Sequence, residues 1–136
     1  MLRLAAQPTS PQREGVRMIK LVALIKRRSD VTPEAFREYY EHRHAPLFQA
    51  SIPAAVAAAI SSYTQSHALR LGGSGAEAAY DCVTEFRFAD LAGLRRWSDW
   101  YLGDAGKVLR DDEEHFMDTG ARVVIVTEEC DIGSVR

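Results

Sequence analysis

Cysteines, runs of basic residues and long apolar stretches are all scarce in this chain. Two cysteines, Cys82 and Cys130, stand far apart among 136 residues, which excludes a disulfide framework and is typical of a protein in a reducing cytoplasm. No block of lysine and arginine occurs and the formal net charge is −2, so there is no nucleic-acid-binding footprint. The longest apolar run, PAAVAAAI, is too short to span a bilayer. We therefore expect a cytoplasmic protein that binds neither nucleic acids nor membranes.

The sequence also lacks the motifs that are typical of cofactor-binding sites. There is no glycine-rich phosphate loop, nucleophile elbow or Cys–His pair, and LGGSG follows a strand without opening a helix. His42 and His44 cannot coordinate the same metal ion, because residues two positions apart in a helix face away from each other. No cysteine or carboxylate cluster has zinc spacing. We expect neither a metal nor another cofactor.

The length and composition indicate one globular domain. Apolar residues make up 46% of the chain and charged residues 26%. Residues 1–17 lack the apolar segment of a signal peptide and are rich in Pro, Gln, Ser and Arg, which predicts a disordered extension. The compact domain is expected over residues 18–130, followed by a short tail at 131–136.

The pattern along the chain predicts the order β-α-β-β-α-β. Strands are predicted at 18–27, 59–70 and 80–88 and in ARVVIVTEE, and helices after Thr32 and Asp90, with a further helical piece at 104–116. This is the α+β, ferredoxin-like plan, a four-stranded antiparallel sheet with both helices on one face. The other face has nothing within the chain to cover it. Since the first strand also carries apolar residues on that face, at Met18, Val22 and Leu24, we expect a homodimer.

The stretch EHRHAPLF, residues 41–48, contains the best catalytic candidate. Pro46 removes a backbone N–H and predicts that the helix kinks or stops there. His44 falls at the rim of the apolar side of the helix, whereas His42 points elsewhere and is expected at the surface. His44 could transfer protons, or it could only hydrogen-bond the kinked backbone; the residues leave both possibilities open.

Two predicted strands carry polar side chains that could line a ligand cavity. Tyr63, Gln65 and His67 share one strand face, and Asp81, Glu85 and Arg87 share a face of the next strand. If these strands are adjacent and in phase, the two sets form a polar patch in which Tyr63 or His67 donates to a carbonyl and Asp81 is a base or an orienting group. The alternative is a solvated face, or ion pairs of Arg87 with the two acids.

The aromatic residues favour two interpretations. In the first, Phe36 and Tyr40 are core residues, which their helical spacing is enough to explain. In the second, aromatic side chains form the wall of a pocket for a substrate with a flat ring, and Trp100, whose position the spacing does not explain, fits this interpretation. The predicted substrate contacts are the following: Tyr40, His67, Glu85, Trp97 and Trp100.

Several segments resemble one known family. MIKLVALIKRRSDVTPEAFREYYEHRHAPL is similar to the opening of EthD-domain proteins, which are members of the dimeric α/β-barrel superfamily. The likeness continues through YTQSH at 63–67 and YDCVTEFRFADLAGLRRW at 80–97, and the family's HAP signature falls on His44, Ala45 and Pro46. One departure is SIPAAVAAAIS, which is longer than the usual link between the first helix and the second strand.

The resemblance implies a fold and a range of chemistries. EthD proteins are named for an association with ether degradation, and similar barrels include polyketide cyclases, a methylmuconolactone isomerase, quinol-forming monooxygenases and haem-degrading enzymes. We expect a small cofactor-independent enzyme that acts on an aromatic or polyketide-like molecule, as a cyclase, isomerase or dehydratase or by O2-dependent oxidation. His44, Tyr63 and Asp81 are the predicted catalytic residues. The alternative is a non-catalytic protein that binds a small apolar metabolite or assists a degradation pathway.

Overall fold

The computed structural model describes residues 17–71 and 77–135, so almost all of the predicted N-terminal extension and part of the LGGSGAEA turn lie outside the described residues. The four strands are β1 (Ile19–Ile25), β2 (Ile60–His67), β3 (Cys82–Phe88) and β4 (Val123–Glu128). The five α-helical segments are α1 (Pro33–Tyr39), α2 (Ala45–Ser51), α3 (Ala54–Ala57), α4 (Leu91–Leu102) and α5 (Lys107–Glu113). Short 3-10 turns at Asp104–Gly106 and Thr119–Ala121 precede α5 and β4.

The strands form one antiparallel sheet in the order β2-β3-β1-β4, which confirms the predicted ferredoxin-like α+β fold. The predicted helix starts are also confirmed. The Thr32 hydroxyl accepts a hydrogen bond from the Ala35 N–H, and the Asp90 carboxylate accepts one from the Gly93 N–H. Each cap satisfies a donor that the first helical turn leaves free.

The helix does not stop near Pro46, which was one of the two outcomes predicted there. The helical backbone runs on to Ser51, and a π-helical turn at Tyr40–His44 joins α1 to α2. In this turn the Ala45 N–H donates to the Tyr40 carbonyl, five residues back. Pro46 then falls in the first turn of α2, where a missing N–H costs little.

The two faces of the sheet differ in burial. Its fully buried side chains are Ala23, Ile25, Cys82, Thr84, Phe86 and Phe88. The register places all of them on the same face, because Ala23 lies opposite Thr84 and Ile25 lies opposite Cys82. The helices pack on this face, as the topology predicts.

The register corrects one prediction about the polar strand residues. Tyr63, Gln65 and His67 lie opposite Phe86, Thr84 and Cys82 and therefore share the helix-covered face. Glu85 and Arg87 alternate with those partners and lie on the other face. The two polar sets are consequently on opposite sides of the sheet and form no common patch.

The face away from the helices is apolar towards β4 and charged towards β3. Val22 and Leu24 on β1 lie beside Ile125 and Val123 on β4. On this face Val123 and Ile125 of β4 are 38% and 48% exposed. On the charged side, Lys20 and Glu85 form an ion pair with an N–O distance of 2.5 Å. Within residues 17–71 and 77–135 no helix is long and apolar enough to cross a membrane.

Candidate functional site

A cavity of about 290 Å³ lies between the helices and the sheet. Its apolar walls include Leu21, Phe48, Phe86, Trp97, Leu109 and Met117. Its polar lining consists of Tyr40, His44, Tyr63, Thr84, Ser98, Tyr101, Glu113 and Arg122. Mostly apolar walls with a few convergent polar groups are what small-molecule sites have in common.

The cavity separates two parts of the hydrophobic core. One cluster is built around Phe36 and Phe116, next to the π-helical turn, and the other around Phe88 and Trp97, under α4. Both clusters contribute to the cavity lining. The space is thus bounded by packed side chains on two sides, which holds its walls in place.

His44 is buried in the cavity wall, with 4% of its surface exposed. Its Nδ1 lies 2.8 Å from Asp112 Oδ2, and Asp112 Oδ1 accepts a hydrogen bond of 2.6 Å from the Tyr39 hydroxyl. A carboxylate can only accept, so the imidazole hydrogen is on Nδ1 in neutral His44 and the lone pair is on Nε2. Burial, followed by Asp112, raises the pKa of Tyr39, so this phenol stays a donor.

The π-helical turn explains why His44 faces inward. An α-helix would place His44 at the rim of the side that carries Tyr40. The wider π turn rotates less per residue, which brings the side chains of positions 40 and 44 onto one side. Their ring centroids are 5.6 Å apart and both side chains are buried.

Glu113 provides a second acid–base group beside His44. It is buried, and its Oε1 accepts hydrogen bonds from the Tyr101 hydroxyl at 2.5 Å and from Arg122 at 2.9 Å. Its Oε2 lies 3.8 Å from His44 Nε2. Burial, followed by Glu113, raises the pKa of Tyr101. His44 therefore lies between two consecutive carboxylates of α5, Asp112 at Nδ1 and Glu113 near Nε2.

The connection between α4 and α5 holds Tyr101 next to Glu113. Arg110 donates hydrogen bonds to the carbonyls of Tyr101 and Gly103. Gly106 lies so close to the end of α4 that a Cβ there would overlap the Tyr101 carbonyl oxygen. Only glycine permits this tight connection.

A chain of hydrogen bonds reaches the cavity from the sheet side. Gln65 Nε2 donates to the Tyr63 hydroxyl at 2.7 Å, and Gln65 Oε1 lies 3.0 Å from His67 Nε2. Burial raises the pKa of Tyr63 to about 12. Beside it, the hydroxyls of Tyr40 and Thr84 are 2.5 Å apart, and burial raises the pKa of Tyr40 as well.

Four of the predicted site residues, His44, Tyr63, Tyr40 and Trp97, line the cavity together. Trp100 does not line it but packs on Trp97, with ring centroids 5.6 Å apart. The remaining predicted contacts lie elsewhere.

His67 lies one hydrogen bond beyond Gln65, in a separate polar cleft that it shares with Tyr63 and Glu41. Glu85 lies on the opposite face of the sheet, paired with Lys20. Neither residue lines the cavity as predicted: His67 is screened by Gln65, and Glu85 is directed away by the strand alternation.

Asp81 also lies outside the cavity, although it was predicted as a base or orienting group there. Its carboxylate is buried before the start of β3 and accepts hydrogen bonds from the Arg27 N–H at 2.9 Å and from Arg70 at 2.7 Å. Lys26 lies 3.9 Å away. Three cations around one buried carboxylate make Asp81 an anchor between β1 and the end of β2.

Asp112 and Glu113 are the site residues that the sequence reasoning missed. The run DDEEH at 111–115 resembles a solvated helix end. One signal was present: Leu109, Glu113 and Phe116 recur at helical spacing, which places a carboxylate on the apolar side of the helix. Among residues 17–71 and 77–135, no group of three or more His, Cys, Asp or Glu could hold a metal ion.

Comparisons with known proteins agree with this architecture. The model of the EthD domain family matches residues 28–120. An EthD-family protein from Bacillus halodurans has 23% identity and a TM-score of 0.57, covering 83% of this chain and 99% of its own. An EthD-like protein from Ralstonia eutropha has 18% identity and a TM-score of 0.56, covering 83% and 90%.

A dimeric protein of unknown function with a ferredoxin-like fold, from Bacteroides fragilis, has 16% identity and a TM-score of 0.52, covering 82% of this chain and 96% of its own. At these identities the likeness shows the fold alone. None of the curated proteins compared with the chain matches it.

Proposed function

This chain belongs to the EthD-domain family, and from that premise we propose that it is a small enzyme that moves protons on an aromatic or polyketide-like molecule held in its cavity. One observation carries the proposal. A buried histidine has Nδ1 fixed by a carboxylate at 2.8 Å, so that its Nε2 is presented in a largely apolar cavity. A base poised in this way suits general acid–base catalysis.

The reaction begins with a substrate that carries an acidic C–H bond next to a carbonyl group. His44 Nε2 removes this proton, and the electron pair of the C–H bond moves to the carbonyl oxygen. Asp112 stabilises the imidazolium that forms, and Glu113, 3.8 Å from Nε2, adds a second negative charge. Return of the proton to another atom completes an isomerisation. Attack of the carbanion on a second carbonyl forms a C–C bond and an alkoxide, which takes the proton from the imidazolium and completes a cyclisation. Removal of a second C–H proton by His44, with loss of the new hydroxyl as water, completes a dehydration.

Tyr63 and Arg122 act on the two negative charges of the site, the oxyanion that develops on the substrate and the Glu113 carboxylate. Tyr63 remains protonated because burial raises its pKa to about 12, so its hydroxyl can stabilise a developing oxyanion. Arg122, held by Glu113, keeps the cavity from carrying an isolated buried carboxylate. An O2-dependent oxidation, the other expected chemistry, would start from the same deprotonated substrate.

The proposal also includes a homodimer. The support is the apolar half of the uncovered sheet face, including the exposed Val123 and Ile125 of β4, which a second copy would cover. The related fold from Bacteroides fragilis is a dimer. In this arrangement the cavity stays within each chain, because it lies on the helix-covered face.

The test measures proton exchange rather than a guessed overall reaction. The probe is 2-tetralone, a flat ketone with acidic protons next to the carbonyl, dissolved in D2O and followed by proton NMR. We expect exchange well above the buffer rate, and a loss of at least about 10²-fold in His44→Asn, the general size of an acid–base contribution.

His42→Asn is the matched control, because His42 lies two residues away and its side chain is 64% exposed. It should exchange the probe at the wild-type rate. Equal rates in both variants would remove His44 from the mechanism. If the wild type binds the ketone without exchanging its protons, the non-catalytic binding role replaces the enzymatic one.

A further inference from the structure

The orientation of the Gln65 side-chain amide is fixed by its surroundings. Gln65 Nε2 lies 3.4 Å from the Tyr40 backbone carbonyl as well as 2.7 Å from the Tyr63 hydroxyl. A carbonyl oxygen can only accept, so the amide NH2 must face Tyr40 and Tyr63. The amide oxygen then faces His67.

His67 completes this arrangement. Its Nε2, 3.0 Å from Gln65 Oε1, must carry the hydrogen in order to donate to that oxygen. Its Nδ1 is buried and has no hydrogen-bond partner among residues 17–71 and 77–135, so none of them competes for the Nε2 tautomer. The side chain of His67 is only 5% exposed and cannot turn away freely.

The direction of these hydrogen bonds determines what Tyr63 can do. Because Gln65 donates to the Tyr63 oxygen, the phenolic hydrogen must point away from Gln65, towards the cavity and Tyr40. The Tyr63 ring is held between Phe48 and Phe86, with centroid distances of 5.0 and 4.9 Å. The hydroxyl is therefore fixed in position as well as in polarity.

We propose that Gln65 and His67 are positioning residues that make Tyr63 a hydrogen-bond donor to the ligand, so that the cavity selects molecules with a carbonyl or oxyanion acceptor on the sheet side. This inference rests on the proposed function, since it specifies the substrate class for the same cavity. A ligand that lacked the acceptor would offer the buried Tyr63 hydrogen no partner, and such a missing hydrogen bond is a main source of discrimination in buried sites.

The test compares two probes that differ in one group, 2-tetralone and tetralin, the same ring system without the carbonyl. Binding is followed by the fluorescence of the tryptophans, because Trp97 lines the cavity. For the wild type we expect the ketone to bind about tenfold more tightly, the size of one buried hydrogen bond left unmade. Tyr63→Phe, which keeps the ring, should abolish the preference.

Gln65→Glu is the decisive variant. It replaces the amide NH2 by an accepting oxygen of the same shape, so that Tyr63 turns its hydrogen towards Glu and away from the cavity. We expect the ratio of the two dissociation constants to fall to about one. Gln49→Glu introduces the same charge in the same polar cleft, where Gln49 forms no hydrogen bond with Tyr63, and should keep the wild-type ratio.

The outcomes separate this inference from the proposed function. A tenfold preference that persists in Gln65→Glu overturns the positioning role, even if exchange of 2-tetralone still depends on His44. A preference that depends on Gln65 supports it, even if His44→Asn exchanges the ketone as fast as the wild type. If neither probe binds the wild type, both proposals fail together. Circular dichroism spectra of each variant verify the fold.

Discussion

The two faces of the sheet differ in what covers their side chains. On the helix-covered face, polar groups such as Glu113 and Thr84 are buried and each has a partner inside the chain. The other face is divided into an apolar half around Val22 and Ile125 and a charged half around Lys20. A site is finished within one chain on the first face, whereas the second face is a surface that another copy can cover. Chemistry and assembly should therefore be separable by mutation.

The largest expected effect is on the stability of the covered face. Phe88 has no exposed surface, and Phe88→Ala should lower the free energy of unfolding by about 3–5 kcal/mol. Ser66→Ala, an exposed position on the other face, should change it by less than about 0.5 kcal/mol. Urea denaturation of the two variants measures both values. Comparable losses would contradict the assignment of the core to one face.

Assembly should respond to the opposite face. Val22→Asp places a charge in the apolar half of the uncovered surface, and we expect sedimentation at micromolar concentration to show monomers in place of wild-type dimers. Gln49→Asp, an exposed change on α2, should leave the dimer intact. Monomeric Val22→Asp should still exchange 2-tetralone. Loss of exchange on dissociation would show that the two faces are not separable.

Within the covered face, Asp112 is expected to act through His44. In Asp112→Asn the amide can donate to Nδ1, which would move the imidazole hydrogen to Nε2 and remove the base from the cavity. The exchange rate of 2-tetralone should fall by about tenfold or more while binding is kept. Asp111→Asn is the neighbouring control, since Asp111 pairs only with Lys107 at the surface. Equal rates in the two variants would exclude the positioning role.

Sequence reasoning predicted the elements of this fold because their signals are local. Thr32 and Asp90 begin helices by capping, and the apolar residues on both faces of MIKLVALIKR predict a strand covered on both sides. The catalytic candidate His44 was also found locally, from its place before Pro46. The sequence did not predict that the helix continues past Pro46, because the π-helical turn depends on a backbone hydrogen bond from the Ala45 N–H to the Tyr40 carbonyl, which no residue pattern shows.

The errors about the site come from tertiary relations. Whether Glu85 shares a face with Tyr63 depends on the register between β2 and β3, which the sequence leaves undetermined. Asp81 was assigned to the cavity because it was expected to share a polar strand face with Glu85 and Arg87. In the structure its three cations come from the segment after β1 and from the loop after β2. Asp112 and Glu113 were missed because a run of acids indicates an exposed helix end unless the helix beside it is known.

A smaller effect is expected for His67, at the boundary of the covered face. Burial, followed by Arg37, lowers the pKa of His67, and Glu41 opposes the shift. The unfolded chain then binds this proton more readily than the folded chain, so stability is complete above about pH 6.5 and falls as the pH decreases. Between pH 7.5 and pH 5.5, thermal melting should show a smaller decrease in Tm for His67→Asn than for the wild type. Identical decreases would contradict this explanation.

The smallest effect distinguishes the two thiols. Cys82, on the covered face, is 1% exposed and burial raises its pKa to about 11, whereas Cys130 is exposed. A thiol-reactive dye at pH 8 should label Cys130 quickly and Cys82 only after the protein unfolds. Fast labelling of both thiols in the native protein would mean that the covered face opens.

The most direct test of the central claim is the nitrogen-15 NMR spectrum of histidine-labelled protein, with the His44 signals assigned by their absence in His44→Asn. We expect neutral His44 to carry its hydrogen on Nδ1, and the signal of its free Nε2 to shift when 2-tetralone is added. A hydrogen on Nε2, or an Nε2 signal that does not respond to the ketone, would contradict the proposed proton-transfer site.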